Sequence, residues 1–425
     1  MSVLPALIAE LRQVCAGLPD RRTGPRRDGE YAMADIGLAA FSIFFMQSPS
    51  FLAHQRALAA GQGRSNCQTL FGLAAIPSDN YIRLMLDGAT PAAFDGLFTR
   101  AVEAAGALAP FQRLNGRMLI ALDGSEHFRS RKIHCPQCST RRADGGVEYF
   151  HAFLAASLVA PGHAQVLPLP PEFIAPQDGA VKQDCERNAA KRWLMRHGPG
   201  LAARRPVYLG DDLFACQSIA AAAQACGGNF IFTCKPASHQ TIAEYLQGAE
   251  LRELRQAAVA RGKRTTSIYR WIADAPLRDS DDAIRVNWFS IEILDARGKR
   301  TYANSFVTDL PVDAGNVAEL AACARARWKI ENETFNVLKA NGYNLEHNFG
   351  HGKRTLASVL VTLNLLAFAF HAAAQLADLA WRDAVAACGA GRRFFEHLRT
   401  ITVYVVFADW PHLLRSIAAA ALRPP

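Results

Sequence analysis

The chain contains neither a Gly-x-Ser-x-Gly nucleophile elbow nor a Gly-x-x-x-x-Gly-Lys-Ser/Thr phosphate loop. A metal-free hydrolase and a P-loop nucleotide enzyme therefore find no support. It carries no internal repeat and no low-complexity segment, which excludes a solenoid architecture. Its first residues have no signal-peptide pattern, and its ten cysteines are scattered rather than framed for disulfides. The expectation is a reducing cytoplasm with free thiols. Long apolar runs are few: Ile36 to Met46 and Leu356 to Leu376. Asn364 and His371 interrupt the second and no other span accompanies it, so it reads as a buried helix and no membrane partner is expected. The excess of one charge sign is also small, at +9 with a pI near 9.1. It favours an anionic partner and hints at nucleic acid.

What is present is a folded chain of 425 residues, half of them apolar, long enough for two or three structural units. Residues 1–117 read as helical, with a basic turn-rich linker from Pro19 to Asp28 and a helix starting near Asp35 as N-cap. A second cap signal at Ser78-Asp79-Asn80 feeds the helix YIRLMLDG. Interspersed Arg56, Arg64 and Arg83 suit a helical DNA-binding unit, the alternative being a bundle packed on the next domain. From Met118 the pattern turns to α/β: MLIALDGSEHF reads as a strand ending at Asp123-Gly124-Ser125, followed by strands YFHAFLAASLVA and QVLPLPPEFI. The helix GAVKQDCERNAAKRWLMRH, the strand–turn–helix RPVYLGDDLFACQSIAAAAQACGG and the strand NFIFTCKP complete residues 118–235. Residues 236–310 read as a β-rich insertion: a charged helical piece (AEYLQGAELRELRQ), a basic segment (ARGKRTTSIYRW), and two alternating stretches joined by the turn DARGK. Residues 311–425 return to helices, with a strand-like piece ITVYVVF near the end.

The segment from Arg325 to Lys353 stands out. Arg327, Glu331, Phe335 and Lys339 recur every four residues, a spacing that stacks them on one helix face. A carboxylate flanked by cations there suits a metal ligand beside a phosphate. Asp123 and Asp211 lie at the ends of two expected strands. With Glu331 they make three carboxylates that would hold two Mg2+ (or Mn2+) ions, since Mg2+ takes carboxylate and phosphate oxygens. Two such ions about 3.5–4 Å apart activate an attacking oxygen and stabilise a leaving one. That is phosphoryl transfer on a nucleic-acid backbone.

ALDGS, YLGDDLF and RWKIENETFNVLK resemble the three signatures of bacterial insertion-sequence DDE transposases, in particular the group with a strand-rich insertion between the second Asp and the Glu. The resemblance implies an RNase H-like mixed sheet flanked by helices and assigns Asp123, Asp211 and Glu331 as catalytic metal ligands. It sets Arg327 and Lys339 on phosphate. Lys339 falls one residue later than the family spacing, and Ala324 stands where the family has Tyr. Asp212 and Glu333 are the alternative ligands beside Asp211 and Glu331. The implied activity is strand cleavage by water followed by attack of the freed 3′-hydroxyl on target DNA. A homodimer would work on paired terminal inverted repeats. A metal-dependent nuclease that cuts without joining, and a DNA-binding relative with a decayed site, are the alternatives.

Four further groups have two readings each. Cys135-Pro136-Gln137-Cys138 has the spacing of half a zinc site; His151, Cys185 or His127 would complete it if the fold gathers them, and otherwise these are connector thiols. Gln183-Asp184-Cys185-Glu186 opens a helix, where acids suit the N-terminus with or without a place near the metals. His347, His351 and Lys353 follow the catalytic segment and are expected on DNA phosphate or at the metal periphery, the alternative being a polar loop that caps the sheet. Trp271 and Trp288 either stack on an unpaired base or pack inside.

Overall fold

The computed structural model describes residues 3–22, 31–59, 65–74, 76–106, 108–176, 184–260 and 262–421. Arg64, Gln183 and most of the Pro19–Asp28 linker lie outside them. Among the described residues six α-helices come first: α1 (Leu4–Ala16), α2 (Met33–Phe45), α3 (Phe51–Ala59), α4 (Asn66–Phe71), α5 (Asp79–Leu86) and α6 (Asp95–Ala104). Then come β1 (Gln112–Arg113), β2 (Arg117–Ser130), β3 (Ser139–Ala143), β4 (Gly146–Val159), β5 (Leu167–Ile174), α7 (Glu186–Leu201), β6 (Pro206–Gly210), α8 (Gln217–Ala225) and β7 (Asn229–Thr233). Next are α9 (Gln240–Gln247), β8 (Arg252–Ala260), β9 (Lys263–Pro276), β10 (Arg285–Asp295), β11 (Arg300–Thr308) and α10 (Val317–Arg325). A π-helical turn, Ile330–Phe335, runs into α11 (Asn336–Ala340). The chain closes with α12 (Leu356–Ala377), α13 (Leu379–Cys388), α14 (Gly391–Tyr404) and α15 (Trp410–Ala421).

One mixed sheet, ordered β3-β4-β2-β6-β7-β11-β10-β9-β8, organises these elements. β6 runs parallel to β2 and to β7, and the remaining pairs are antiparallel. This is the helix-flanked mixed sheet expected of an RNase H-like core. β5 pairs only with β4, and such an edge strand accepts Pro168, Pro170 and Pro171, whose missing N–H groups no inner ladder could spare. The strands of residues 236–310 are not a separate sheet: β11 pairs with β7 through Phe306 and Thr233, extending the core sheet.

Both faces are covered. Ala121 and Ser157 are paired residues of β2 and β4, and Thr334 of the π turn meets Ser157, oxygen to oxygen, at 3.3 Å. On the other face Trp193 of α7 packs edge-on against Tyr208 of β6. α12 is the one helix among the described residues long and apolar enough to cross a membrane, and 94% of its apolar window is buried inside the protein. Phe41 and Phe45 of α2 pack on its Phe370 and His371, with ring centres 5.3 and 4.3 Å apart. The helical N-terminal region is thus seated on the core. Arg83 is engaged at this seam, donating to the Phe349 carbonyl at 2.8 Å and lying over the Phe51 ring.

Four expectations need correction. α2 begins at Met33, so Asp35 lies in its first turn and pairs with Arg12 at 2.8 Å instead of capping. ELRELRQ is largely strand: the ladder from Arg252 to Ala260 on β9 overrides the helix propensity of its charged residues. The β-branched ITVYVVF does not form a strand; Ile401–Tyr404 finish α14, whose buried stripe Phe394, Phe395, Leu398 and Thr402 keeps helical spacing. β2 runs through to Ser130, so Asp123 is a mid-strand residue.

Asp87, at the end of α5, accepts the backbone N–H groups of Lys353, Arg354, Thr355 and Leu356 at 2.8–3.2 Å, tying α5 to the start of α12. Burial pushes its carboxyl up, but those four donors reverse the effect and hold it below the usual carboxylate range. A depressed folded pKa adds stability above the ordinary carboxylate range and loses it as pH falls through the lowered value. Asp87→Ala is therefore expected to lower unfolding stability by about 2 kcal/mol at pH 7. The deficit should shrink in acid. Urea titrations at pH 7 and pH 3 check both statements.

Candidate active site and metal cluster

The parallel register of β2 and β6 pairs Ala121 with Leu209. Two residues on, Asp123 and Asp211 occupy matching places, and the two-residue alternation turns both toward the face of the π turn. β6 ends at Gly210 while β2 continues along β4, with Asp123 opposite Ala155. Asp123 therefore stands just past the end of its parallel neighbour, where the sheet leaves room. Asp211 Oδ1 accepts the Leu213 N–H at 2.9 Å. Asp212 turns away: its Oδ1 accepts from the Lys235 backbone N–H at 2.8 Å and lies 3.3 Å from His239 Nε2.

Glu331 reaches the same place from the opposite side. Arg327, only 8% exposed, puts Nη1 3.3 Å from Asp123 Oδ2 and Nη2 2.8 Å from Glu331 Oε1. The helix here is not regular. Asn336 donates its N–H to the Glu331 carbonyl, five residues back, and such π turns are frequent at functional sites. An i→i+5 turn holds one residue more than an α turn, which offsets in angle the late position of Lys339. The Lys339 ammonium itself pairs with Glu346 at 3.1 Å. Phe335 leaves the expected polar face and packs edge-on against Phe153. Glu333 faces a different groove, of about 550 Å³, with Tyr302, Arg325, Trp328 and Lys329. Lys353 is exposed at the start of α12.

A fourth carboxylate joins the group. Glu186, the first residue of α7, lies over Gly124: a Cβ at that position would sit 2.5 Å from Glu186 Oε2. Glu186 Oε1 is buried without a hydrogen-bond partner. Asp184 goes elsewhere, pairing with Arg192 at 2.7 Å. Residues 184–186 thus contribute one structural acid and one at the site, a division that sequence spacing does not reveal.

Burial lifts the Asp123 carboxyl to about 6; Arg327 draws it down, while Glu331 and Asp211 push it up. Burial likewise lifts Glu186 to about 7, with Asp123 and Asp211 adding to it. A folded pKa above the unfolded one contributes stability at low pH that is lost as pH rises through the folded value. Without added divalent cation, the melting midpoint should fall between pH 4 and pH 8, as roughly 2–3 kcal/mol of stability is lost per group. Mg2+ should restore it. The Asp123→Asn, Glu186→Gln double variant should show a flatter profile by differential scanning fluorimetry.

Away from the carboxylates, Cys135, Cys138, His151 and His351 form a cluster that can hold a metal ion. His151 joins the CxxC as one of the expected candidates. His127 stacks on His151 with ring centres 5.6 Å apart but is not among the four, and Cys185 is exposed. His351, expected on DNA phosphate, is instead buried here. His347 is exposed. Trp271 and Trp288 are buried, 4% and 6% exposed, so they pack inside and offer no stacking surface. No protein-family model and no curated protein matches this chain.

Proposed function

We propose that this chain is a DDE transposase, an Mg2+-dependent enzyme that cleaves DNA at the ends of an insertion sequence and joins the freed strands to target DNA. One observation carries the reading. Asp123 and Glu331, from distant segments, meet on the buried guanidinium of Arg327, and Asp211 stands beside Asp123 at the end of the neighbouring strand, near enough to push the Asp123 carboxyl up.

Their donors are all carboxylate oxygens, which fit Mg2+ or Mn2+. Bound there, two such ions supply an activated water or 3′-hydroxyl and a stabilised leaving oxygen. The chain's own residues do the rest. β2 and β6 fix two carboxylates at one level of the sheet. Arg327 holds Glu331 against Asp123 and balances part of their charge. Arg325, Lys329 and Trp328 line the neighbouring open groove, a surface suited to a phosphate backbone and its bases. Recognition of terminal repeats by residues 1–117, with phosphate contacts from Lys339 and Lys353, and pairing of two chains on two ends belong to the same proposal.

The test uses a plasmid carrying the gene with its flanking DNA, incubated with purified protein and Mg2+. Breaks at the element's ends together with joined products support the reading. Breaks without joints identify a nuclease, and binding without breaks a decayed relative.

A further inference from the structure

Cys135 and Cys138 follow β2, His151 is on β4, and His351 lies between α11 and α12. Cys135 Sγ and Cys138 Sγ are 3.9 Å apart, and His151 Nε2 and His351 Nε2 3.1 Å apart. Three sulfur-to-nitrogen distances are 3.4–3.5 Å. A tetrahedron with Zn–S of about 2.3 Å and Zn–N of about 2.05 Å has edges of about 3.8 Å for S–S, 3.3 Å for N–N and 3.6 Å for S–N. The three kinds of edge agree with the cluster to about 0.2 Å.

We propose that Cys135, Cys138, His151 and His351 form a closed structural Zn2+ site that fastens the segment behind Glu331 to the β2–β4 strand pair. Four protein donors leave no open position, which is the mark of a structural rather than a catalytic zinc. Thiolates and imidazoles exclude Mg2+ by softness. His351 Nδ1 lies 3.0 Å from the Gly352 carbonyl; donating there, it leaves the Nε2 lone pair facing the sulfurs, the outer bond a metal-bound histidine ordinarily has. Three of the four residues are buried, so the ion is shielded.

The placement gives the metal its task. His151 and Ala155 are on the same strand, and Ala155 pairs with Asp123. His351 follows Phe349, whose ring packs edge-on against Phe44 of α2. Just beyond it, Asp87 binds the start of α12. The ion thus joins the sheet, the connector behind the π turn and the N-terminal helices at one point. Cys138 and His351 are 213 positions apart, so the bond closes a long loop of the unfolded chain. This inference holds whether or not the chain cuts DNA.

The test is metal analysis of the full chain, purified without a chelating tag. About one equivalent of zinc is expected, falling to under about a tenth in Cys138→Ser and in His351→Ala, and unchanged in Cys185→Ser and His127→Ala. Because a ligand variant can fail to fold, wild-type protein grown with Co2+ supplies a second reading. A sulfur-to-cobalt charge-transfer band with strong tetrahedral ligand-field absorption is expected. Extracting zinc should lower the melting midpoint by about 10 °C or more, reversed by Zn2+ and not by Mg2+. Zinc-free wild-type protein without a cobalt spectrum overturns the proposal, as does full zinc retention in both ligand variants.

Discussion

Asp123→Asn is expected to reduce Mg2+-dependent strand cleavage on the order of 10³-fold or more while leaving the fold and DNA binding in place. Asparagine keeps the size of the side chain and an oxygen for the Gly124 N–H, which donates to Asp123 Oδ1 at 3.0 Å. It removes the negative charge and one of the two oxygens that would bind a metal ion. The site has little to replace them, because Asp123 is half-buried between Arg327 and the end of β6, with 17% of its side chain exposed. Glu331→Gln should behave alike. Glu333→Gln and Asp212→Asn should stay within about threefold of wild type, since Glu333 faces the Trp328 groove and Asp212 is tied to Lys235. A single-turnover assay on labelled end DNA separates loss of chemistry from loss of binding. Cleavage by Asp123→Asn at the wild-type rate would remove it from the reaction.

Arg327→Ala should carry the largest stability cost near the site, about 3 kcal/mol at pH 8. The guanidinium is 8% exposed and holds two carboxylates at once. Most of the loss should come from the Asp123 side, because the Glu331 side chain is 36% exposed and water screens it. Arg327 is also what draws the Asp123 carboxyl down against burial. Without it Asp123 rises beyond its present value of about 6, so the deficit should be small at pH 5 and grow toward pH 8. Mg2+ should recover part of it by supplying positive charge in the same place. Arg327→Lys should recover less than half, since one ammonium cannot make the two-pronged contact. Urea denaturation at both pH values, with and without Mg2+, tests the sign. A variant as stable as wild type at pH 8 would show that the two carboxylates do not depend on Arg327.

Much of the arrangement is written locally. The apolar run MLIAL makes β2, VYLG makes β6, and each ends at or runs into an aspartate, so period-two alternation and parallel pairing suffice to put Asp123 beside Asp211. The hairpin at DARGK is equally local: Asp295 Oδ1 accepts the N–H groups of Arg297 and Lys299. What could not be read depends on distant partners. The π turn is favoured by Thr334 meeting Ser157 and Phe335 packing on Phe153, neither of which is near in sequence. His351 has no metal-ligand spacing to the CxxC, being 213 residues from Cys138. Glu186 and Asp184 look alike at a helix start, and only Arg192 on one side and Gly124 on the other tell them apart. ITVYVVF misleads because β-branched residues favour strands by propensity, yet the buried stripe of α14 prevails.

The central claim is that Asp123, Asp211 and Glu331 share one divalent-metal site. Iron-directed cleavage of the polypeptide tests it most directly: Fe2+ takes the place of Mg2+ in the zinc-loaded protein, and ascorbate with peroxide cuts the backbone near the bound ion. The account predicts cuts close to residues 123, 211 and 331, suppressed by excess Mg2+ and absent in Asp123→Asn. Cuts confined to the neighbourhood of Cys135, His151 and His351, or cuts near Glu333 and Asp212 that survive Asp123→Asn, would contradict it.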